Sequence, residues 1–367
     1  MRMHLRLSVM FLLLCCVAQC ASGDGVDSAT VKKRLLTIEN RIPLPYHPAL
    51  VKEIQSYSSK QLPANFTVYE SAIREALLQQ GLPEEMVYLP VAMTNMKIDY
   101  RRENRAGVWA LPELVALRYG LIVDDIHDER FSVEASTQVA ARYLKDLYEA
   151  HGDWWQCILA YANSPAAIHN TSLRHPYNDP ADPWSYYDHQ WLDDVSIVGD
   201  FIASYYVYSS DDKSVAHSTE QYALSDFDRP IALSVLSSTI SVTEKTLRRL
   251  NPVFLTDPIV PLNGYLLKLP ASATQAFDEH KDSIYEQSEK MRAEKERQAR
   301  IAAENKANEQ AKVKAKKDPD YITYTVKRGD SLGKIAQKHH VTISDLKKWN
   351  KLKGDMIQEN QKLKIYQ

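Results

Sequence analysis

Residues Glu85–Tyr119 read EMVYLPVAMTNMKIDYRRENRAGVWALPELVALRY, two helical stretches on either side of a polar, arginine-rich connection. Just upstream, Ser71–Gln80 places Ile73, Ala76, Leu77 and Gln80 one helical turn apart, the spacing of a helix with one inward face. Gly81-Leu82-Pro83 stops that helix, and Pro83 can open the next, because its fixed φ and missing N–H suit a first turn. Working outward, Val31–Asn40 and His47–Ser58 read as short amphipathic helices, with Pro48 in the first turn of the second, and Asn65–Gln80 as a longer one. Downstream, Ser132–His151 carries an apolar stripe of Val139, Ala140, Tyr143, Leu144, Leu147 and Tyr148. Asp153–Ala162 reads as a buried helix, His169–Asp193 as a loop rich in Pro, Asn, Asp and aromatics, and Val195–Ser209 as an apolar closing helix. The fold class is mainly α.

Gly81-Leu82-Pro83, Glu85, Tyr88-Leu89-Pro90, Gly107, Trp109, Ala116 and Tyr119-Gly120-Leu121 fall at fixed intervals. In that arrangement the stretch resembles the catalytic segment of membrane-bound lytic murein transglycosylases of the D type. That family has "GLP-x-E-x-x-YLP-x-x-E-S" followed by "G-L-W-Q-F-M-P-x-T-A-x-x-YGL". The resemblance implies a lysozyme-like helical domain over residues 31–210. It extends to Asp128-Glu129-Arg130, Gly152-Asp153-Trp154, Ala160-Tyr161 and Pro165. It also places Met93 where the family has its catalytic glutamate, and Thr94 where it has the following serine. Ala110 and Val115 replace a family Gln and Thr, and Ala162-Asn163-Ser164 replaces its Asn-Ala-Gly. Ile197 stands where a tyrosine lines the family's active site. The implied groove is lined by Trp109, Tyr161 and Ile197, and it lacks the catalytic acid.

The chain of 367 residues is 44% hydrophobic and 25% charged, with a net charge of −2 that gives no argument for nucleic acid. Met1–Arg6 is basic, Leu7–Ala18 apolar and Cys20-Ala21-Ser22-Gly23 small, the pattern of a signal peptide over residues 1–22. Two cleavage modes fit: lipoprotein processing that leaves Cys20 acylated, and ordinary cleavage near Ala21 or Ser22. Either exports the chain to the periplasm or outer membrane. No later segment has the run of about 20 apolar residues that a spanning helix requires. Cys157 lies in a buried helix and reads as a small core residue.

An internal repeat follows the helical domain. Val242-Thr243-x-x-x-Leu247-Arg248-Arg249-Leu250-Asn251 matches Val341-Thr342-x-x-x-Leu346-Lys347-Lys348-Trp349-Asn350, and each copy ends in a short apolar strand, Tyr265–Leu269 or Lys362–Tyr366. The second copy, over residues 322–367, resembles a LysM domain of β-α-α-β order, with Ser331 and Ser344 as natural N-caps. The first, over residues 220–272, lacks the Gly-Asp-Ser turn and reads as a degenerate module of the same kind. Between them, residues 279–319 are packed with Glu, Lys, Arg, Gln and Ala and have no apolar heptad seam. A solvated helix of roughly 60 Å and a disordered charged linker both fit.

The family's reaction needs one carboxyl group to protonate the leaving oxygen between N-acetylmuramic acid and N-acetylglucosamine, then to accept a proton from the muramic 6-hydroxyl. A thioether does neither. Asp99, Glu103 and Glu113 are the nearby carboxylates that could substitute, although charges in such a connection are ordinarily a solvated face. Binding asks less, only aromatic faces and hydrogen-bonding groups. The LysM resemblance implies a glycan groove between Gly329, Asp330, Ser331 and Leu332 on one side and Asp355, Met356 and Ile357 on the other. Lysines outnumber acids in that module, which is a solvated face or an attraction to anionic envelope polymers. Two functions remain: a non-catalytic protein that binds peptidoglycan or another N-acetyl sugar chain, and an active transglycosylase with a relocated acid. An envelope protein partner docking on the His169–Asp193 face is compatible with the first. Neither function calls for a metal or cofactor.

Overall fold

The computed structural model describes residues 26–209, 221–317 and 320–366. The export segment 1–22 with Cys20, Ser210, residue 220 and residues 318–319 lie outside the described residues. The chain divides into two compact units, Met1–Glu289 and Lys290–Gln367.

In the first unit, α1 (Ser28–Leu35), α2 (Leu50–Ser58) and α3 (Ala64–Gln79) lead into a 3-10 turn (Glu84–Tyr88) and the short α4 (Leu89–Thr94). Pro83 is the N-cap of that turn, so the segment enters as a tight 3-10 helix before becoming α. A small antiparallel sheet follows, β1 (Arg101–Arg102), β2 (Arg105–Ala106) and β3 (Leu111–Pro112), and then α5 (Glu113–Arg118). The remaining helices are α6 (Val133–His151), α7 (Trp154–Ala162), α8 (Pro165–Arg174), α9 (Pro183–His189) and α10 (Ser196–Tyr208). Local chemistry sets the ends. Ser132, Asp153, Ser164 and Asp182 each accept a backbone N–H from the first turn of the helix they precede. Gly120 and Gly152 supply the left-handed turns after α5 and α6.

The segment His169–Asp193 is not a loop. It contains most of α8 and all of α9. Pro165 and Pro183 occupy the first turns of these helices behind the caps Ser164 and Asp182. The core is formed by packing α10 on α2 and α4, and α6 on α3 and α7. Cys157 lies fully inside it as a free thiol bonded to the Leu144 carbonyl, and burial pushes its pKa far up.

The β1–β3 hairpin is held from beneath. Asp128 and Arg130 are both buried and form a two-point ion pair, each N···O distance being 2.9 Å. Arg130 also donates to the carbonyls of Asn104 (2.8 Å) and Leu111 (3.4 Å), at the two ends of the hairpin. Gly107 sits between them at φ +73°, and a Cβ there would lie 1.8 Å from the Arg130 carbonyl oxygen. No side chain fits.

Still in the first unit, β4 (Tyr222–Ser225) pairs antiparallel with β5 (Leu267–Pro270), enclosing α11 (Leu233–Ile240) and α12 (Glu244–Leu250). Helix α13 (Thr274–Lys317) follows. It starts earlier than the charged composition suggests, and Phe277, Ile284, Tyr285 and Ser288 in its first turns are buried against this module. One face of residues 279–289, carrying Ile284, Tyr285 and Ser288, therefore packs on this module while the acidic side chains around it stay exposed.

In the second unit, β6 (Tyr321–Thr325) pairs with β7 (Lys362–Tyr366) around α14 (Leu332–Lys338) and α15 (Ile343–Trp349). Val326, Leu332, Ile335, Ala336, Leu346, Leu363 and Ile365 form its core. Ser331 caps α14 as the sequence suggests, but Thr342 rather than Ser344 caps α15, by accepting the Asp345 N–H at 3.0 Å.

Gly107→Ala tests the hairpin brace. The clash with backbone leaves no flexible partner to move, so the substitution should cost more than about 2 kcal/mol. Chemical denaturation of the full chain would measure it, and Gly152→Ala, where a Cβ meets open space at a similar φ, is the control.

Candidate functional site

Met93 lies in the last turn of α4, half-buried against the helical core. The next residue fixes that turn. The Thr94 hydroxyl is buried and sits 2.9 Å from the Pro90 carbonyl and 2.7 Å from the Val108 carbonyl, tying α4 to the hairpin. Asn95 and Met96 then take left-handed φ values of 53° and 57°, which ends the helix abruptly.

Trp109, Tyr161 and Ile197 all belong to the helical core, and Tyr161 is bonded to Trp109. Trp109 and Tyr161 are wholly buried and Ile197 is 2% exposed. The Trp109 indole donates to the Thr137 hydroxyl at 2.8 Å, and the Tyr161 hydroxyl donates to the Trp109 carbonyl at 2.9 Å. Both polar tips are satisfied internally, as buried Trp and Tyr require. Burial raises the Tyr161 phenol well above its usual range, so it stays neutral at any ordinary pH. These three residues are structural.

Asp99, Glu103 and Glu113 are all exposed, Glu113 being the first residue of α5. No bond in the structure orients any of them toward the end of α4. The arginine-rich connection is less solvated than its composition implies. Arg105 is half-buried and donates to the carbonyls of Ala110 (3.0 Å), Tyr161 (3.1 Å), Ala162 (2.8 Å) and Asn163 (3.4 Å). The carbonyls at the end of α7 thus bind a fixed guanidinium from the protein. Asn163 completes the arrangement by exchanging two bonds with the Asp194 backbone, at 3.0 and 2.8 Å. A lone Arg among four basic or acidic neighbours carries no sequence signal for such a role.

One carboxyl not singled out by sequence behaves unusually. Asp200, on α10, is pushed above the ordinary aspartate range by burial, although Ser196 and Tyr57 hydrogen-bond it. Its partners lie on α2 and α10. Among the described residues no cluster of His, Cys, Asp and Glu is placed to hold a metal ion.

In the C-terminal unit, Gly329 adopts φ +86° with open space where a Cβ would stand. Asp330 accepts from the Tyr324 hydroxyl and the Lys327 N–H, both at 2.8 Å, and these bonds hold its carboxyl below the usual range. Ser331 is exposed and caps α14. Leu332 is buried in the core and offers no surface to a ligand. In the loop before β7, Asp355 pairs with Lys347 at 2.8 Å, Met356 is 93% exposed, and Ile357 leans on the core.

Asp200 gives a pH-dependent expectation. A carboxyl whose folded pKa is raised favours folding below its unfolded pKa of about 3.9, and this contribution is lost as pH rises through the folded value. Asp200→Asn should therefore raise the thermal midpoint at pH 7, and the difference from wild type should shrink below about pH 4. An unchanged midpoint at pH 7 would mean that the carboxyl ionises without cost.

With this geometry in hand, the comparisons with known proteins become specific. Residues 75–181 match the Transglycosylase SLT domain model, and residues 324–365 match the LysM domain model. The SLT match contains Met93, Trp109 and Tyr161 but ends before Ile197. The chain is 24% identical over 299 residues to "Membrane-bound lytic murein transglycosylase D" of Escherichia coli, covering 78% of this chain and 61% of that protein. Over the LysM stretch it is 58% identical across 43 residues to "Probable peptidoglycan endopeptidase LytE" of Bacillus subtilis, 12% of this chain and 13% of that one. It is 50% identical across 42 residues to "Cell wall-binding protein YocH" of the same organism, covering 11% and 15% respectively. The chain spans about three fifths of the length of the transglycosylase it matches. Residues 75–181 thus form a transglycosylase SLT domain of mainly α fold and residues 324–365 a C-terminal LysM domain, an architecture that matches, with sequence homology, membrane-bound lytic murein transglycosylase D of Escherichia coli.

Proposed function

We propose that the chain is an exported, peptidoglycan-binding envelope protein whose transglycosylase domain has lost glycan cleavage. One observation carries this reading. The position that the family resemblance gives to the general acid holds Met93, and the nearby carboxylates Asp99, Glu103 and Glu113 are all exposed. Proton transfer to a leaving oxygen requires a titratable group within hydrogen-bond reach, and a thioether has no proton to give. The loop that the family opens with glycines is here anchored by Arg105 and Asn163, which supports a remodelled site.

Binding is assigned to the LysM domain. Gly329, Asp330 and Ser331 offer backbone and short polar groups on one side, with Asp355 and Met356 exposed on the other. Relatives named for murein cleavage and for cell-wall binding share this domain, which supports peptidoglycan as the ligand and the envelope as the location. Among the described residues no helix is long and apolar enough to cross a membrane.

A second reading, an active enzyme with a relocated acid, has one observation in its favour: the raised carboxyl of Asp200. Burial accounts for the shift, and its hydrogen bonds to Tyr57 and Ser196 hold that carboxyl between α2 and α10, so the first reading is preferred.

Sedimentation of the full chain with purified sacculi is the test. Wild type should co-sediment. Asp330→Ala, which frees the Tyr324 hydroxyl and the Lys327 N–H and so loosens the turn, should weaken retention at least about tenfold, the effect of losing roughly 1.4 kcal/mol of binding. Free passage of a folded wild-type chain would refute the assignment. Met93→Glu should restore little or no cleavage, because Ile197, Ala110 and Ala162-Asn163-Ser164 still differ from the family's orienting groups. Misplacement by about 1 Å costs on the order of a hundredfold.

A further inference from the structure

The two repeats share a fold down to single bonds. Asn251 donates to the carbonyls of Leu247 (2.9 Å) and Lys268 (2.8 Å) and accepts from the Lys268 N–H (2.7 Å). Asn350 does the same with Leu346 (2.9 Å) and Lys364 (2.8 and 2.6 Å). Thr243 and Thr342 cap the second helices, and Ser241 and His340 take matching left-handed turns before them. At the same constant spacing, Pro230-Ile231-Ala232-Leu233 occupies the place of Gly329-Asp330-Ser331-Leu332.

From this correspondence we infer that the first repeat is a LysM fold whose glycan groove is closed, and that it works as a buttress for the hairpin of the SLT domain. The inference takes the location of the groove from the binding reading of the second repeat. In the first repeat the two sides of that groove are bonded to each other. Ile231 and Ile259 exchange backbone hydrogen bonds of 2.9 and 2.8 Å, and both side chains are buried. Asp257 caps Leu233 at 2.9 Å, doing from the far loop what Ser331 does locally in the other copy. Helix α13 covers the turn. The buried Ser288 hydroxyl accepts the Ala232 N–H at 3.0 Å, and the Tyr285 hydroxyl accepts the Asp228 N–H at 3.2 Å. A sugar would have to displace paired backbone and a packed helix.

The outer side of the same loop is docked on the SLT domain. The Asp128 N–H donates to the Val253 carbonyl (2.9 Å), the Leu255 N–H to the Ile126 carbonyl (2.8 Å), and His127 Nε2 to the Val260 carbonyl (2.9 Å). Val253 shares a small core with Ala106 and Phe131. The residue held in this way, Asp128, is the one whose carboxylate holds Arg130, and Arg130 holds both ends of the hairpin that carries Gly107 and Trp109. The module therefore acts on the hairpin through two shared links.

Hydrogen exchange of the full chain, followed by mass spectrometry with and without an N-acetylglucosamine oligomer, tests both halves. The oligomer should protect residues 327–332 and 355–357 and leave 228–233 and 256–262 unchanged. His127→Phe keeps the ring contact with Phe254 but removes the bond to Val260. It should speed exchange at Asp128, Leu255 and the hairpin 104–111 by at least about tenfold, a local opening, while retention on sacculi stays at the wild-type level. Oligomer protection at 228–233 would overturn the closed groove. Release of the Leu255 amide without any change in the hairpin would overturn the buttress. Absence of protection at 327–332 would strike the glycan-binding reading instead, and the His127→Phe arm would still decide the buttress.

Discussion

The buried pair of Asp128 and Arg130 is the constraint on which the candidate site depends. Burying two charges is expensive, and a buried pair survives only when its remaining hydrogen-bonding capacity is used. Here it is used. Asp128 accepts three bonds from Arg130 itself, and the rest of the guanidinium reaches the carbonyls at both ends of the hairpin. The backbone passes so close to this brace that position 107 must be glycine. Thr94, Thr137 and Tyr161 are then linked to the hairpin by single bonds of ordinary length. The contacts that hold this part of the SLT domain together are those of the brace, and none of them involves Met93.

On the proposed reading, that separation lets the position of the family's acid hold Met93 without loss of structure. Met93 is half-buried at the end of a two-turn helix and packs on the core, where a thioether is at least as comfortable as a carboxylate. Ile197 makes the same exchange at its position, from a polar ring to a buried aliphatic side chain. Both changes move the region toward apolar packing. Arg105 and Asn163 then occupy backbone groups at the end of α7 that glycines would have left open.

Much of this was legible in the residues. Helix ends with polar caps and terminal glycines were readable because the caps act locally: Ser132, Asp153, Gly120 and Gly152 need only their own turn. The repeat was readable because Thr and Asn recur at positions where side chains bond their own backbone. What was not legible depended on distant partners. His169–Asp193 reads as a loop from its Pro, Asn, Asp and aromatic content, yet Pro183 sits behind the cap Asp182 in the first turn of a helix. Ser288 and Tyr285 sit in a stretch whose charge suggests solvent, and only the module beside them makes them buried. Trp109, Tyr161 and Ile197 carry the signature of a groove, yet their burial follows from how four helices close on one another. Leu332 is hidden for the same reason in the second unit.

The central claim is that the chain holds glycan without cutting it. Its most direct measurement is incubation of the wild-type chain with purified sacculi, followed by mass spectrometry of the soluble fraction for anhydromuropeptides. The account predicts none above a protein-free control at any pH between about 5 and 8, because a methionine stands where the proton donor is needed. Release of anhydromuropeptides that rises with protein concentration and is abolished by changing Asp99, Glu103, Glu113 or Asp200 would contradict it.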